Sequence, residues 1–204
     1  IFTVPILLLV VVALFFKNES KTRILLMRSS LIYTVLYLGM TFVNKAIADA
    51  YFKKSLDENQ INYQDYMSNP TILNNIMWYS VVNSDSVLKI AEFTLLKKDK
   101  PIEWRSYPIR KYLLDSCESA DARMLTWFSQ GFCFTQRNND TLEVFIPKFG
   151  RGDLDKTLAK ETFIFYYKLY SKNGVWMMDA QQPSSKDMKF KEAFTQLIEK
   201  IMGN

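Results

Sequence analysis

Histidine is absent from the 204-residue chain. That removes His-ligated zinc sites, Ser-His-Asp triads and Cys-His dyads for any site built wholly from these residues. Only two cysteines occur, Cys117 and Cys133, and no Cys-x-x-Cys, so nothing marks a thiolate zinc site. The two can pair in an oxidising compartment or stay as thiols, and their spacing does not choose between these. Gly150-Arg-Gly-Asp153 lacks the spacing and the Lys-Ser/Thr pair of a phosphate loop, and it reads as a glycine turn. The carboxylates Asp99, Glu103, Asp115, Glu118, Asp121, Asp153, Asp155 and Asp179 show no paired spacing for acid–base work or a hard cation. They read as solvated surface. There is no internal repeat and no low-complexity segment.

Charge is unevenly placed. Residues 1–50 carry five basic side chains against two acidic ones, and residues 51–204 carry 21 against 19. The net charge of +5 therefore belongs mostly to the apolar N-terminal part. A remainder so close to neutrality is a poor nucleic-acid binder, so no nucleic-acid partner is expected.

The long apolar runs sit at the N-terminus. Phe2–Phe16 has no charged residue, and Pro5 suits the first turn of a helix. A polar turn, Lys17–Arg23, leads into a second mostly apolar run, Ile24–Val43. The pattern predicts a transmembrane helical hairpin over 1–54, with the second helix running out of the bilayer past Asn44. Arg28 lies near the start of that helix, where it can snorkel back to the headgroups. The lipid bilayer is the first expected partner. Lys17, Lys21 and Arg23 place the short turn on the cytoplasmic side and the rest of the chain on the outer side. Ile1 followed at once by an apolar run reads as a start inside a longer protein, with this chain its C-terminal part. It does not read as a signal peptide, since no basic n-region precedes the run.

Beyond a connector over 55–73, residues 74–204 read as a soluble α+β domain. Leu56–Met67 is either a short helix or an extended segment. Met77–Val82 and Val87–Leu96 form a hairpin about Asn83–Ser86, and Ile102–Tyr107 adds a strand. Residues 110–129 change to helical spacing, broken near Ser119 and stopped at Gly131. Phe132–Gln136 and Leu142–Ile146 form another hairpin, followed by a loop at Phe149–Asp153. Thr162–Tyr170, with Phe163, Phe165, Tyr167 and Leu169 on one face, turns at Asn173-Gly174 into Val175–Asp179. A helix over Asp187–Met202 closes the chain. The sum is a mostly antiparallel sheet of about seven strands with a few helices. Trp78, Trp104, Trp127 and Trp176 read as core.

Asn69–Trp78 is the pivot between the two parts. Pro70 ends any helix arriving from upstream. Pro70, Thr71, Asn74, Asn75 and Trp78 are the candidate binding residues of this stretch, and the structural reading of them is favoured. The Asn74 and Asn75 amides tie the helix end to the first strand. No catalytic or metal-ligating residue is identified.

The same stretch, Asn-Pro-Thr-Ile-Leu-Asn-Asn-Ile-Met-Trp, resembles the P-T-x-L-N-N-x-x-W segment of YdjM-type membrane-bound metal-dependent hydrolases, in particular their longer Bacteroidetes-like members. The likeness extends back through Tyr37–Lys45 and Phe2–Ile6 and forward to Trp78–Val82 and Phe149-Gly150, and it fades after 150. It implies a parent hydrolase of the bacterial inner membrane that uses a divalent metal. The family's His and Asp ligands lie on upstream transmembrane helices, and none of them maps onto this chain. The resemblance therefore implies an inactive C-terminal part without its own cofactor, partnered by the upstream transmembrane half. The rival expectation is a non-enzymatic membrane-tethered sensor or envelope interaction domain.

Overall fold

A computed structural model describes residues 4–71, 74–151, 163–172, 174–181 and, singly, 195, 198, 199 and 202. Helix α1 (Val4–Leu14) turns back into α2 (Lys21–Glu58), which has 38 residues. Four strands follow, β1 (Asp65–Pro70), β2 (Met77–Ser84), β3 (Val87–Thr94) and β4 (Arg105–Pro108). Two short helices, α3 (Lys111–Asp115) and α4 (Ala120–Ser129), then precede β5 (Phe134–Asn138), β6 (Thr141–Arg151), β7 (Phe163–Lys172) and β8 (Val175–Gln181).

Among the described residues one helix, α2, is long and apolar enough to cross a membrane, where two were expected. The first apolar run stops being helical at Leu14. Phe15 and Phe16 donate to Val12 and Ala13 in tightened i→i−3 bonds that open the turn. The 11 residues of α1 give a rod of roughly 16 Å, about half of a hydrocarbon core.

Helix α2 changes character along its length. Leu31, Ile32, Val35, Leu36, Phe42 and Val43 are all exposed on one broad face of the helix, while Ser30, Tyr33, Thr34, Tyr37 and Thr41 on the other face are buried or half-buried. Past Val43 the buried residues are Ala48, Phe52, Ser55 and Leu56, the stripe of a helix lying on a core. The helix ends at Glu58, where Asn59 returns its amide to the Ser55 carbonyl at 2.7 Å and Gln60 takes a positive φ of 52°. Pro70 therefore stops no helix. It is the last residue of β1, paired in register with Trp78, where a missing N–H costs little.

The single sheet of about seven strands is instead two four-stranded antiparallel meanders, β1-β2-β3-β4 and β5-β6-β7-β8. The helices between β4 and β5 interrupt the run of hairpins, so the second meander stacks on the first rather than extending it. Strand β1 begins earlier than the apolar pattern shows, because Asp-Tyr-Met-Ser-Asn-Pro is polar. Side-chain alternation then builds four layers. Trp78, Ala91 and Phe93 face Ala48 and Phe52 of α2. Tyr79, Val81, Leu88 and Ile90 face the second sheet through Phe134, Phe145 and Phe163. The other side of that sheet, Leu142, Val144, Ile146 and Leu169, is covered by Leu114, Cys117, Ala122 and Leu125. The order is α2, first sheet, second sheet, then α3 with α4.

Three local expectations change. Strand β6 continues to Arg151 where a loop was expected from Phe149. Gly150 has φ 96°, and a Cβ there would lie 3.4 Å from the Tyr79 ring, so glycine keeps the strand going through a tight passage. The register shifts between Ile146 and Arg151, and Phe163 leaves the face of Phe165 to join the inter-sheet cluster. Trp127, expected in the core, is 76% exposed on α4. The helix expected over Asp187–Met202 lies outside the described residues, apart from Thr195, Ile198, Glu199 and Met202.

Candidate functional site

The polar groups of the molecule gather where α2 meets the first sheet. Lys45 and Asp49 are one helical turn apart and form an ion pair at 3.3 Å. Strand period puts Tyr66 and Ser68 on one face of β1, opposite them. Tyr66 donates its phenol to Asp49 at 2.7 Å, and the Ser68 hydroxyl donates to the same carboxylate oxygen. Lys45 donates to the Ser68 hydroxyl at 2.9 Å and to its carbonyl at 3.2 Å, and lies 5.9 Å from the centre of the Trp78 ring. Partial burial pushes the Asp49 carboxyl up. The hydrogen bonds from Ser68 and Tyr66 and the Lys45 ammonium outweigh it and hold the group below the ordinary carboxylate value. Burial, and donation to Asp49, raise the Tyr66 phenol well above its ordinary range.

The candidate residues of Asn69–Trp78 lie beside this network and divide into two roles. Thr71 and Asn74 close the turn locally. The Asn74 side-chain oxygen accepts from the backbone amides of Ile76 at 3.0 Å and Met77 at 2.7 Å, and its nitrogen donates to the Thr71 hydroxyl at 2.5 Å. Asn75 and Trp78 face α2. The Asn75 amide donates to the Thr41 hydroxyl at 2.9 Å, and the Asn44 amide donates to the Asn75 carbonyl at 2.9 Å. Asn75 thus meets the middle of α2, not its end. Both Asn75 and Trp78 are 1% exposed, and the Asn75 Oδ1 and Trp78 Nε1 atoms have no hydrogen-bond partner. Pro70 serves as the register partner of Trp78.

Sequence reasoning missed Thr41, Asn44, Lys45, Asp49, Tyr66 and Ser68. The available signal was a Lys-x-x-x-Asp pair directly past the apolar run, followed by hydroxyl side chains two residues apart.

Serine beside lysine suggests a nucleophile and its base. Here Ser68 is buried, its proton is given to Asp49, and Lys45 acts as donor to both. The arrangement fixes α2 on the sheet and leaves no hydroxyl facing a substrate. Among the described residues no three His, Cys, Asp or Glu side chains converge to hold a metal ion. The described residues thus offer no such cluster for the divalent metal that the resemblance implies for the parent. Cys117 and Cys133 are free thiols, each pushed up by burial. A buried carboxylate, Glu143 on β6, accepts from the Tyr166 phenol at 2.5 Å between neighbouring strands.

The chain matches no protein-family model, no curated protein and no solved structure.

Proposed function

We propose that the chain is the membrane-rooted C-terminal part of a YdjM-type metal-dependent hydrolase of the bacterial inner membrane. Catalytic metal ligands belong to the upstream transmembrane half. The sandwich is a non-catalytic domain on the outer side, shaping substrate access or docking a partner at the membrane surface. The observation that supports this reading is the continuity of α2. One helix carries an exposed apolar length through Val43 and then packs on the first sheet through Ala48, Phe52 and Leu56. The segment that resembles the family, Asn69–Trp78, is the one held against that helix.

The test is metal content and hydrolase turnover of the purified chain, compared with a form carrying the residues upstream of Ile1. Metal and turnover are expected only in the longer form, with His and Asp side chains on its added apolar helices. Stoichiometric metal with turnover from the present chain alone overturns the proposal.

The same continuity favours a second reading, a membrane-tethered sensor or envelope interaction domain. An unrelated domain upstream, without a His/Asp cluster, decides for it.

A further inference from the structure

The two ends of the apolar length of α2 differ in how their cations are used. At the far end Lys45 is taken up by Asp49 and Ser68, Lys54 pairs with Glu58 at 3.7 Å, and Lys53 lies over the Tyr66 ring. At the turn end Arg23 is bound to the Phe16 carbonyl and Asn18, but the Lys17, Lys21 and Arg28 side chains are exposed and make no ion pair or hydrogen bond among the described residues. Glu19, the only acidic residue before Asp49, forms no ion pair among the described residues either.

Lys21, Leu25 and Arg28 are spaced i, i+4, i+7 and share one face of α2. Helix side chains lean toward the N-terminus. Arg28, about a turn inside the apolar length, therefore reaches back toward the level of Lys21, with Leu25, 64% exposed, between them. Phe15, 84% exposed, lies beside Lys17 at the tip of the turn. Cations, an apolar strip and an aromatic ring at one level match a headgroup layer with acyl chains beneath it.

We propose that Lys17, Lys21 and Arg28 form a rim that holds anionic phospholipid headgroups at the turn end of the helical hairpin. The rim is continuous with the exposed apolar surface of α1 and α2, and its uncompensated positive charge selects anionic over zwitterionic lipid. The inference rests on the reading of that surface as lipid-embedded.

The experiment uses the full chain reconstituted in vesicles of phosphatidylcholine and phosphatidylglycerol, with trace spin-labelled lipid of each kind. The measured quantity is the ratio of motionally restricted phosphatidylglycerol to phosphatidylcholine at the protein surface. The wild type is expected to prefer phosphatidylglycerol, weakening with added salt, with roughly fivefold lost per rim charge removed. The K17Q/K21Q/R28Q variant should fall to no preference. The charge-conserving K17R/K21R/R28K variant and the far-end K53Q/K54Q variant should keep it. An equal ratio in wild type and triple-Gln variant overturns the rim and leaves the membrane reading standing. The absence of a restricted component for either lipid overturns both.

Discussion

Asp49 on α2 and Tyr66 on β1 are joined by a phenol-to-carboxylate hydrogen bond of 2.7 Å, which ties the long apolar helix to the first strand of the sandwich. Asp49 also receives Lys45 and Ser68, so removing it takes the acceptor from the Tyr66 and Ser68 hydroxyls and the charge partner from Lys45. Asp49→Ala should lower the unfolding free energy by about 2 kcal/mol, the range for hydrogen bonds to a charged group at a partly exposed site. Asp49→Asn keeps one acceptor and should lose about half of that. Chemical denaturation in detergent, read by the fluorescence of the buried Trp78, measures both.

The same carboxylate makes stability depend on acid. Its folded value lies below the ordinary 3.8. A depressed carboxylate contributes stability that is complete above the unfolded value and is lost as pH falls through the folded one. The gap between wild type and Asp49→Asn should be constant above about pH 5 and close below 3.8. A gap that widens on acidification contradicts the network.

Asn74 and Asn75 should respond differently to the same change. Asn74 accepts two backbone amides, so Asn74→Ala leaves them unpaired and should cost about 1–2 kcal/mol, with Asn74→Asp rescuing most of it. Asn75→Ala loses the donation to Thr41 but also removes a buried oxygen without a partner, so its cost should be under about 1 kcal/mol. The double Ala variant should melt below wild type. An unchanged melting temperature with lost activity of the parent would transfer both residues from structure to ligand binding.

Trp78 offers a size-against-polarity test. Its indole nitrogen is buried without a partner. Trp78→Phe removes that nitrogen and part of the ring, two opposing changes that should leave stability within about 1 kcal/mol. Trp78→Ala empties the contact with Ala48 and Phe93 and should cost about 3–5 kcal/mol. Equal losses in the two variants would show that the indole nitrogen has a partner of its own.

Much of the sandwich was readable residue by residue. The hairpin turns at Asp85 and Asn139 fall in polar Asn/Asp/Ser clusters, and both residues take a positive φ of 52° that Asn and Asp tolerate. Ser119 marks the start of α4 and caps it by accepting from the Ala122 amide at 3.0 Å. What stayed hidden was stacking. Period-two alternation tells which side chains share a face, but not whether the next hairpin extends the sheet or lies on it. Strand β1 was invisible because, beside Tyr66 and Met67, which pack on the clusters either side of the sheet, it is polar and is held by backbone pairing and by Asp49. The site was half legible for a similar reason. Asn74 and Asn75 stand out as turn residues, whereas Lys45 and Asp49 look like solvated helix charges until Tyr66 and Ser68 are brought across from another element.

Helix α2 contains no proline, and its one glycine, Gly39, lies ahead of the length that packs on the sheet, so Met40–Glu58 holds none of the usual seats of a bend. The sandwich is thereby carried as a stiff unit with the Met40–Glu58 length of the helix. A tilt of that length by roughly 10° would swing the outermost layer, three layer spacings of about 10 Å away, through about 5 Å. The orientation of one helix thus becomes a mechanical input to the position of α3 and α4, delivered without unfolding a single turn.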